Sequence, residues 1–351
     1  MSPHPSHQPH RQYLSLTSLS AWLNALAHAY KSAVVGLVAT VSLWAVPFCA
    51  APAMAAPCPT TPLTQAAPGV WVWESQNEEL SAGNRAQIVS NVVLVSEGEA
   101  TVIDPGATHL HGVELAQAIA CQLHAKVTRV INTHAHAENT LGDSAFSETG
   151  ALVASTAGTR AAMQSRCPSC LAHIQNTIGA SASAGTRIVI PTQTLKPPAW
   201  LNVGSQRWWL QEWRQAHTES DLTLWNPKSR TLIAAGLVYH QRLPELSQGR
   251  LDNWLRALLA LRDLQPLVVI GQRVGDSSDL IHTYRYLCDL HNAIAQRLSQ
   301  GETASQADQV ELPTYRDWVG YAQRQSFNVQ RAWRELEGLW MSDQLTPCVN
   351  P

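Results

Sequence analysis

The stretch Val127–Phe146 reads VTRVINTHAHAENTLGDSAF and carries the most informative signals in the chain. It opens with a mostly apolar run, Val127–Asn132, that predicts a buried strand. Thr133, His134 and His136 follow at once, so this strand delivers polar groups at its carboxyl end, where the sites of buried sheets are usually built. Two imidazoles two residues apart in a tight turn can converge on one metal ion.

A third histidine strengthens this interpretation. On its own, an H-x-H turn is more often a polar turn without a metal than a metal site. His217, however, comes directly after the predicted strand Arg207–Glu212, again at a strand end. Three histidines at such positions would form a tris-imidazole zinc site whose fourth position is open for water.

Composition limits the class of protein. The chain has 351 residues, of which 45% are hydrophobic and only 14% charged, which is enough apolar content for a sizeable folded core. It carries 24 Lys and Arg against 26 Asp and Glu, a net charge of −2, and no basic run. The electrostatic field that nucleic-acid binding requires is therefore absent, and we expect no nucleic-acid partner.

Residues 1–55 are predicted to be a secretory signal peptide. No charged residue occurs from Ser32 to Cys58, and the apolar stretch Ala33–Val46 is followed by small residues that end in Ala53-Met54-Ala55. We therefore expect a mature chain of residues 56–351, mildly acidic and periplasmic or secreted. The alternative is an uncleaved signal anchor, which would make the protein membrane-attached.

The mature chain shows two clusters of predicted strands, each followed by helices, and no Pro/Gly/Ser-rich linker divides it. It is expected to form one domain, a sandwich of two sheets flanked by helices, with a helical extension from about residue 278 to the C-terminus. The predicted strands are Val70–Glu74, Ile88–Ser96, Ala100–Asp104, Val127–Asn132, Leu152–Ala154, Arg187–Ile190, Arg207–Glu212, Leu222–Asn226, Thr231–Ala235 and Val268–Ile270.

Six cysteines remain after signal cleavage, an even number that suggests disulfides in an oxidising compartment. Cys167 and Cys170 form the most local pair, and we favour a structural disulfide between them. A redox-active pair is the lesser alternative, and a zinc site would need a second C-x-x-C that the chain lacks. Cys58 and Cys348 lie near the two ends of the mature chain and would be able to join them.

From about Val70 to Gln272 the chain resembles the metallo-beta-lactamase superfamily, whose zinc motif is H-x-H-x-D-H. Residues 134–139 stand at that motif, and His217 stands at the third motif. Asp104 stands at the first motif, where the family's Asp holds the metal loop from behind. The resemblance implies an α/β fold, the αββα sandwich with C-terminal helices, and zinc ligands at His134, His136 and His217.

Within the superfamily, two smaller features are similar to the zinc metallohydrolases of sulfur oxidation and of the quinoprotein relay system. These features are the Cys167–Cys170 pair and the segment Asn328–Glu337.

The chain departs from the family where a second metal would bind. Dinuclear members hold that metal with the Asp and His of H-x-H-x-D-H, a later bridging Asp and a last His. The four corresponding residues here are Glu138, Asn139, Gly236 and Gln272. All three first-site histidines are kept, so the resemblance implies a degenerate second site and one zinc ion per chain, with Asn139 joining Asp104 behind the metal loop.

The resulting hypothesis is an exported mononuclear zinc hydrolase acting on a small-molecule ester, thioester, amide or lactam. Zinc on three imidazoles lowers the pKa of a bound water to about 7, and Glu138 would act as the general base. The alternative is a catalytically impaired relative that serves as a binding or accessory protein, with a partner in a periplasmic oxidation pathway.

Four further residues near these motifs are expected to have no part in the chemistry. Arg273 and His240 adjoin altered ligand positions and could supply positive charge, but a structural role is favoured for both. His109 and His111 repeat the H-x-H spacing where the family places no ligand, so we expect them to be surface histidines.

Overall fold

The computed structural model describes residues 58–60, 63–246 and 248–349, and the predicted signal peptide lies outside these ranges. The described residues form thirteen strands and seven α-helices. The strands β1 to β13 are Thr64–Ala67, Val70–Trp73, Asn91–Ser96, Glu99–Ile103, Lys126–Ile131, Leu152–Thr156, Gln193–Leu195, Ala199–Val203, Gln206–Arg214, Ser220–Asn226, Thr231–Ile233, Val268–Ile270 and Val274–Gly275. The helices α1 to α7 are His109–Leu123, Ala137–Thr140, Asp143–Glu148, Ala157–Ala182, Leu251–Asp263, Ser277–Ser299 and Tyr321–Met341.

The strands form two sheets. The first has the order β1-β2-β3-β4-β5-β6-β7, antiparallel from β1 to β4 and parallel from β4 to β7. The second has the order β13-β12-β11-β10-β9-β8 and is antiparallel except where β11 runs parallel to β12. The parallel strands β4, β5 and β6 of the first sheet end at the same edge, and the polar residues Asp104 and His134 follow β4 and β5 there.

The two sheets pack face to face between two helical layers. Side chains of the first sheet, among them Leu94 and Ile131, meet side chains of the second, among them Leu222 and Ile233, in one buried cluster. A second cluster fills the space between the first sheet and helices α1 and α3. A third joins the second sheet to α5, α6 and α7. This four-layer arrangement confirms the predicted αββα sandwich with C-terminal helices.

The alternation of side chains in β3 explains why apolar residues occupy both faces of the first sheet. Val92 and Leu94 point toward the second sheet, whereas Val93 and Val95 point toward the helices. A strand buried on both faces reads as a continuous apolar run. The same rule accounts for β5, where Ile131 faces the other sheet and Val130 faces the helices.

One predicted strand is wrong. Arg187–Ile190 has the alternating pattern of a strand, but these residues are irregular and the sheet resumes only at β7. Pro191 has no N–H to donate to a ladder, and the pairing with β6 begins just after it, where Thr192 N donates to Val153 O at 3.0 Å. Ile188 and Ile190 instead pack against α4.

Two disulfides form among the described cysteines, and they differ from the favoured pairing. Cys58 is bonded to Cys121 of α1, and Cys288 of α6 is bonded to Cys348. Cys167 and Cys170 are free thiols, so the disulfide expected between them is not formed. Both lie in the middle of α4, where side chains three residues apart have Cβ atoms about 5–6 Å apart, and a disulfide requires about 3.5–4.5 Å.

Within the described ranges, none of the helices combines the length and the apolar character needed to cross a bilayer.

Candidate metal centre

Two loops from different sheets meet at the strand edge and carry the three histidines. His134 and His136 follow β5, and His217 lies in the turn between β9 and β10. The two loops are joined directly, because the backbone N–H of Leu222 donates to the carbonyl of Thr133 at 2.9 Å.

The three imidazoles face one another. Their ring centroids are 4.9 Å apart for His134 and His136, 5.2 Å for His134 and His217, and 4.8 Å for His136 and His217. One nitrogen from each ring lies within 4.8 Å of the others. Within the described part of the chain, no other group of three His, Cys, Asp or Glu side chains is arranged in this way. The structure thus brings together the three predicted ligands.

Hydrogen bonds show which nitrogen of each ring is free. The Thr133 hydroxyl donates to Asp104 Oδ2 at 2.6 Å and so accepts from His134 Nδ1 at 2.8 Å, which leaves Nε2 with its lone pair. His217 Nδ1 donates to the carbonyl of Glu245 at 3.0 Å, which likewise leaves Nε2. His136 Nε2 donates to Gln248 Oε1 at 3.1 Å, which leaves Nδ1.

These assignments provide a test of whether a metal fits. His217 Nε2 and His136 Nδ1 are 3.3 Å apart, and both present lone pairs. Two lone pairs at this distance repel unless a cation lies between them. The separation equals the value of about 3.3 Å expected for two nitrogens bound tetrahedrally to zinc at about 2.0–2.1 Å. The three residues therefore fit a metal ion, which His134 Nε2, His136 Nδ1 and His217 Nε2 would hold.

Burial keeps His134 and His217 neutral. His134 is 2% exposed and His217 is fully buried. Burial, reinforced by the neighbouring His136, lowers the pKa of both rings well below the usual value for histidine. Neutral imidazole is the form that binds a metal.

Asp104 holds the metal loop from behind. Its carboxylate accepts hydrogen bonds from Thr133 N at 2.8 Å, from the Thr133 hydroxyl and from Asn139 Nδ2 at 3.1 Å. Burial raises the pKa of Asp104 to about 6, although these hydrogen bonds oppose the shift. Asp104 thereby fixes the ring of His134 through Thr133 and occupies the amide of Asn139.

Asp221 has the same role in the second loop and was missed in the sequence. Its carboxylate accepts from the backbone N–H groups of His217 at 2.9 Å and Thr218 at 2.8 Å, and from the Thr218 hydroxyl. The sequence signal was the acidic residue four positions after the histidine, a spacing that suits a tight turn closed by a carboxylate.

Glu138 lies beside the three-histidine cluster. Its Oε1 atom is 3.8 Å from His136 Nδ1, the nitrogen that faces His217 Nε2, and its side chain is 26% exposed. The carboxylate is therefore within reach of both the metal position and solvent, as a general base requires.

The residues at the other altered second-metal positions make different contacts. Asn139 donates to Asp104, and Gln272 Nε2 donates to Asn77 Oδ1 at 3.2 Å. Gly236 packs against the ligands: a Cβ atom there would lie 2.7 Å from His217 Cδ2 and 2.9 Å from His134 Nε2. A carboxylate side chain at residue 236 does not fit without moving the histidine rings.

Gly236→Ala is expected to weaken zinc binding by roughly tenfold or more, since displaced ligand supports typically cost 10–100-fold in metal affinity. Zinc affinity measured by competition with a chelator checks this. Gly338→Ala is the control, because that glycine lies in α7 and its Cβ would meet nothing within 4 Å. Equal zinc affinity in Gly236→Ala and the wild type would contradict the close packing.

The cluster opens into a pocket whose far wall was not predicted from the sequence. Besides His134, His136, Glu138 and Gln272, the pocket is lined by Tyr239, Arg242, Glu245 and Arg324. Arg324 comes from α7, far along the chain from the metal motif, and no local pattern marks it. Arg273 and His240, the two cations suggested by their positions in the sequence, are not among the residues that line this pocket. Arg273 pairs with Glu74, and His240 pairs with Asp279.

The pocket arginines are held by carboxylates. Arg324 bonds to Glu79 and lies 3.5 Å from Glu245, and Arg242 lies 3.6 Å from Glu79. Burial opposes ionisation of Glu79, but the hydrogen bond from Arg324 and the charge of Arg242 leave its pKa lowered. Gly320 permits this contact, because a Cβ atom there would lie 2.0 Å from Arg324 Nη1.

The C-terminal helix α7 also braces the loop that orients His217. Asn328 is fully buried; its Oδ1 accepts from Leu246 N at 2.9 Å and its Nδ2 donates to Pro244 O at 2.7 Å. These two bonds flank Glu245, whose carbonyl holds His217. The helical extension is thus part of the metal centre's support.

Asn328→Leu is expected to lower the free energy of unfolding by about 3 kcal/mol, because it leaves buried backbone groups unpaired at constant side-chain size. Denaturant titration gives this value, and zinc affinity should fall with it as Glu245 loosens. Gln330→Leu, an exposed position on the same helix, should change neither quantity. A loss below about 0.5 kcal/mol in Asn328→Leu would show that these bonds do not brace the loop.

The structure also corrects the prediction for His111, and it disfavours the redox alternative for Cys167 and Cys170. His111 is not a surface residue: it is 2% exposed, bonds to Asn91 Oδ1 at 2.6 Å and packs on Trp73. Cys167 packs against Ala135 of the metal loop, and burial raises its pKa to about 11. Burial also raises the pKa of Cys170, so neither thiol is poised as a redox nucleophile.

Comparison with known proteins identifies the family. The sequence model of the Metallo-beta-lactamase superfamily matches residues 85–273, more than half of the chain. The chain therefore belongs to this superfamily, which typically binds metal, and its three-histidine cluster could hold one. No curated protein matches the chain.

Solved structures show the same fold. A metallo-beta-lactamase from Pontibacter korlensis is 19% identical, with a TM-score of 0.53, and the match covers 64% of this chain and 98% of that one. The DIM-1 metallo-beta-lactamase, solved after exposure to ceftazidime, is 17% identical, with a TM-score of 0.51 and coverage of 64% and 95%.

Proposed function

We propose that the chain is an exported zinc hydrolase that holds a single zinc ion at His134, His136 and His217. The observation that carries the proposal is the pair of ring nitrogens at 3.3 Å, both with lone pairs, in a cluster of three imidazoles. Such a set leaves the +2 charge of zinc uncompensated and its fourth position open, as in catalytic rather than structural sites.

Zinc bound there supplies Lewis-acid activation of a carbonyl and of water near neutral pH. Glu138 accepts the proton of the attacking water, since its carboxylate lies beside the cluster and contacts solvent. Tyr239 remains a neutral phenol because burial raises its pKa, so it is a hydrogen-bond donor in the pocket. Arg242 and Arg324 supply positive charge for the leaving group, and the substrate is a small ester, thioester, amide or lactam.

The single-ion part of the proposal is supported by what replaces the second set of ligands. The Asn139 amide is committed to Asp104 and the Gln272 amide to Asn77. Gly236 leaves no room for a bridging carboxylate against the histidine rings.

Export is supported by the uncharged segment within residues 1–55 and by the two disulfides, which persist in oxidising compartments. We assign the chain, within the superfamily, to the group of sulfur-oxidation and quinoprotein-relay metallohydrolases. The support is the resemblance of Asn328–Glu337, from which Asn328 braces the His217 loop and Glu335 accepts from Leu251 N at the start of α5.

A second candidate function is a binding or accessory protein of a periplasmic oxidation pathway that has lost catalysis. The observation that favours it is the loss of every second-metal ligand at Glu138, Asn139, Gly236 and Gln272. Both candidates place a ligand in the same pocket, and they differ in whether the bound ligand is turned over.

The deciding experiment combines metal analysis with a substrate screen. Purified protein is analysed for zinc per chain and assayed against a panel of esters, thioesters, amides and lactams. Glu138→Gln should keep its zinc and lose about 10²–10⁴-fold in rate, the usual contribution of a general base.

Glu148→Gln, an exposed glutamate paired with Arg187, serves as the matched control and should retain full activity. Zinc-free protein would rule out the hydrolase, and zinc-loaded protein without turnover of any member of the panel would favour the accessory role.

A further inference from the structure

Of the three candidate ligands, His136 is the one least constrained by its surroundings. Its side chain is 15% exposed, whereas His134 and His217 are buried. His136 is the N-cap residue of the short helix α2, and its side chain makes no capping hydrogen bond. The orientation of its ring and the position of its proton therefore depend on the contacts of its two ring nitrogens.

Two acceptors lie near Nδ1 of His136, the nitrogen that must keep its lone pair to bind a metal. His217 Nε2 is 3.3 Å away, and Glu138 Oε1 is 3.8 Å away. His217 Nε2 carries a lone pair, because Nδ1 of the same ring donates to the carbonyl of Glu245. With its proton on Nδ1, His136 would donate to His217, and this hydrogen bond would close the metal position.

Gln248 favours the other tautomer of His136. Its Oε1 atom is 3.1 Å from His136 Nε2 and accepts from the N–H group there. No other described residue forms a hydrogen bond with that nitrogen. An acceptor at Nε2 stabilises the tautomer whose Nδ1 lone pair is free for a metal.

The loop around Gln248 is fixed on both sides. Before it, the backbone N–H of Leu246 donates to Asn328 Oδ1 at 2.9 Å. After it, the backbone N–H of Arg250 donates to the carbonyl of Ala216 at 3.1 Å. Because Ala216 directly precedes the third histidine, these bonds tie the loop to the turn that carries that ligand.

We propose that Gln248 is a positioning residue of the metal centre. Its side-chain oxygen keeps His136 in the tautomer that presents Nδ1 to the ion, and so prevents the hydrogen bond between His136 and His217 from closing the site. This inference rests on the proposed function, since the role requires a metal at the three histidines. The role depends on the acceptor atom rather than on the bulk of the side chain.

Two variants of similar length separate the acceptor from the bulk. Gln248→Met removes the acceptor, and Gln248→Glu keeps it. Gln330→Met is the control, because Gln330 is an exposed residue of α7 that bonds to Asp308. Competition with a chelator gives the zinc Kd of each protein.

The tautomer of His136 is measured separately, in zinc-free protein. Nuclear magnetic resonance of isotope-labelled imidazoles shows which ring nitrogen carries the proton at about pH 8, where imidazole is neutral. Comparison with a His136→Gln sample identifies the signals of this ring. Loss of packing alone would not move the proton from one nitrogen to the other.

The wild type should carry the His136 proton on Nε2. Gln248→Met should raise the zinc Kd by roughly tenfold or more, the usual effect of removing the partner of a metal-binding histidine, and should move the proton to Nδ1. Gln248→Glu should bind zinc at least as tightly as the wild type and keep the proton on Nε2. Gln330→Met should change neither quantity.

An unchanged zinc Kd in Gln248→Met would overturn the role of Gln248, as would a proton that stays on Nε2 in that variant. An equal loss of affinity in Gln248→Glu would overturn it too, because the side chain would then act only by packing. Wild-type protein that binds no zinc contradicts the proposed function itself. Since the tautomer is measured without zinc, the two failures are distinguishable.

Discussion

Replacing His217 with alanine is expected to abolish stoichiometric zinc binding and to reduce the proposed hydrolysis by at least about 10³-fold. His217 is fully buried, and its Nε2 faces His136 Nδ1 at 3.3 Å. Its removal leaves two ligands, too few for a tetrahedral zinc site that keeps one position open. Since bound zinc stabilises the folded state by mass action, the variant should also lose the increase in Tm that zinc gives the wild type.

Elemental analysis of the two purified proteins measures the zinc, and thermal unfolding with and without added zinc measures the linkage. His111→Ala is the matched control: its imidazole is equally buried but bonds to Asn91, away from the cluster. That variant should be less stable but keep one zinc per chain. If His217→Ala retained stoichiometric zinc, the ligand assignment would be wrong.

Trp254→Ala is expected to cost about 3–5 kcal/mol of unfolding free energy, the range for truncating a buried tryptophan. Trp254 is fully buried in α5, with its ring centroid 4.9 Å from that of His217 and 6.2 Å from that of Tyr239. Its indole N–H donates to Leu237 O at 3.0 Å, next to Gly236. The alanine leaves a cavity behind a metal ligand and an unpaired carbonyl, so zinc affinity should also fall.

Denaturant titration of zinc-free protein isolates the packing effect, and a titration with saturating zinc then shows the added loss at the metal centre. Trp200→Ala offers a comparison at a tryptophan that is 46% exposed, and its cost should stay below about 1 kcal/mol. A loss below about 2 kcal/mol in Trp254→Ala would mean that α5 closes the cavity by shifting, and that the support for His217 lies elsewhere.

Local sequence signals predicted those parts of the metal centre that depend on residues next to one another in the chain. The run before His134 forms β5, and Asp104 follows β4 at the same sheet edge. The pairing of cysteines was not predictable in this way, because it depends on which helices the segments around Cys58 and Cys348 reach. The burial of His111 was missed because the space for it depends on Gly106, whose missing side chain lets the imidazole ring approach within 2.2 Å of a Cβ position.

The sequence by itself predicted a sandwich of two sheets from strand periodicity, and the resemblance of its motifs to the superfamily pointed to the three histidines and Glu138, because both kinds of signal lie in short runs of residues. Only the tertiary structure decided which nitrogens face one another, and that Gly236 excludes a bridging carboxylate. It alone brought Arg324 of the C-terminal helix to the metal pocket, and Asn328 of the same helix to the loop that holds His217. The physical reason is that these contacts join residues far apart in the chain, and their geometry follows from the packing of layers rather than from any local pattern.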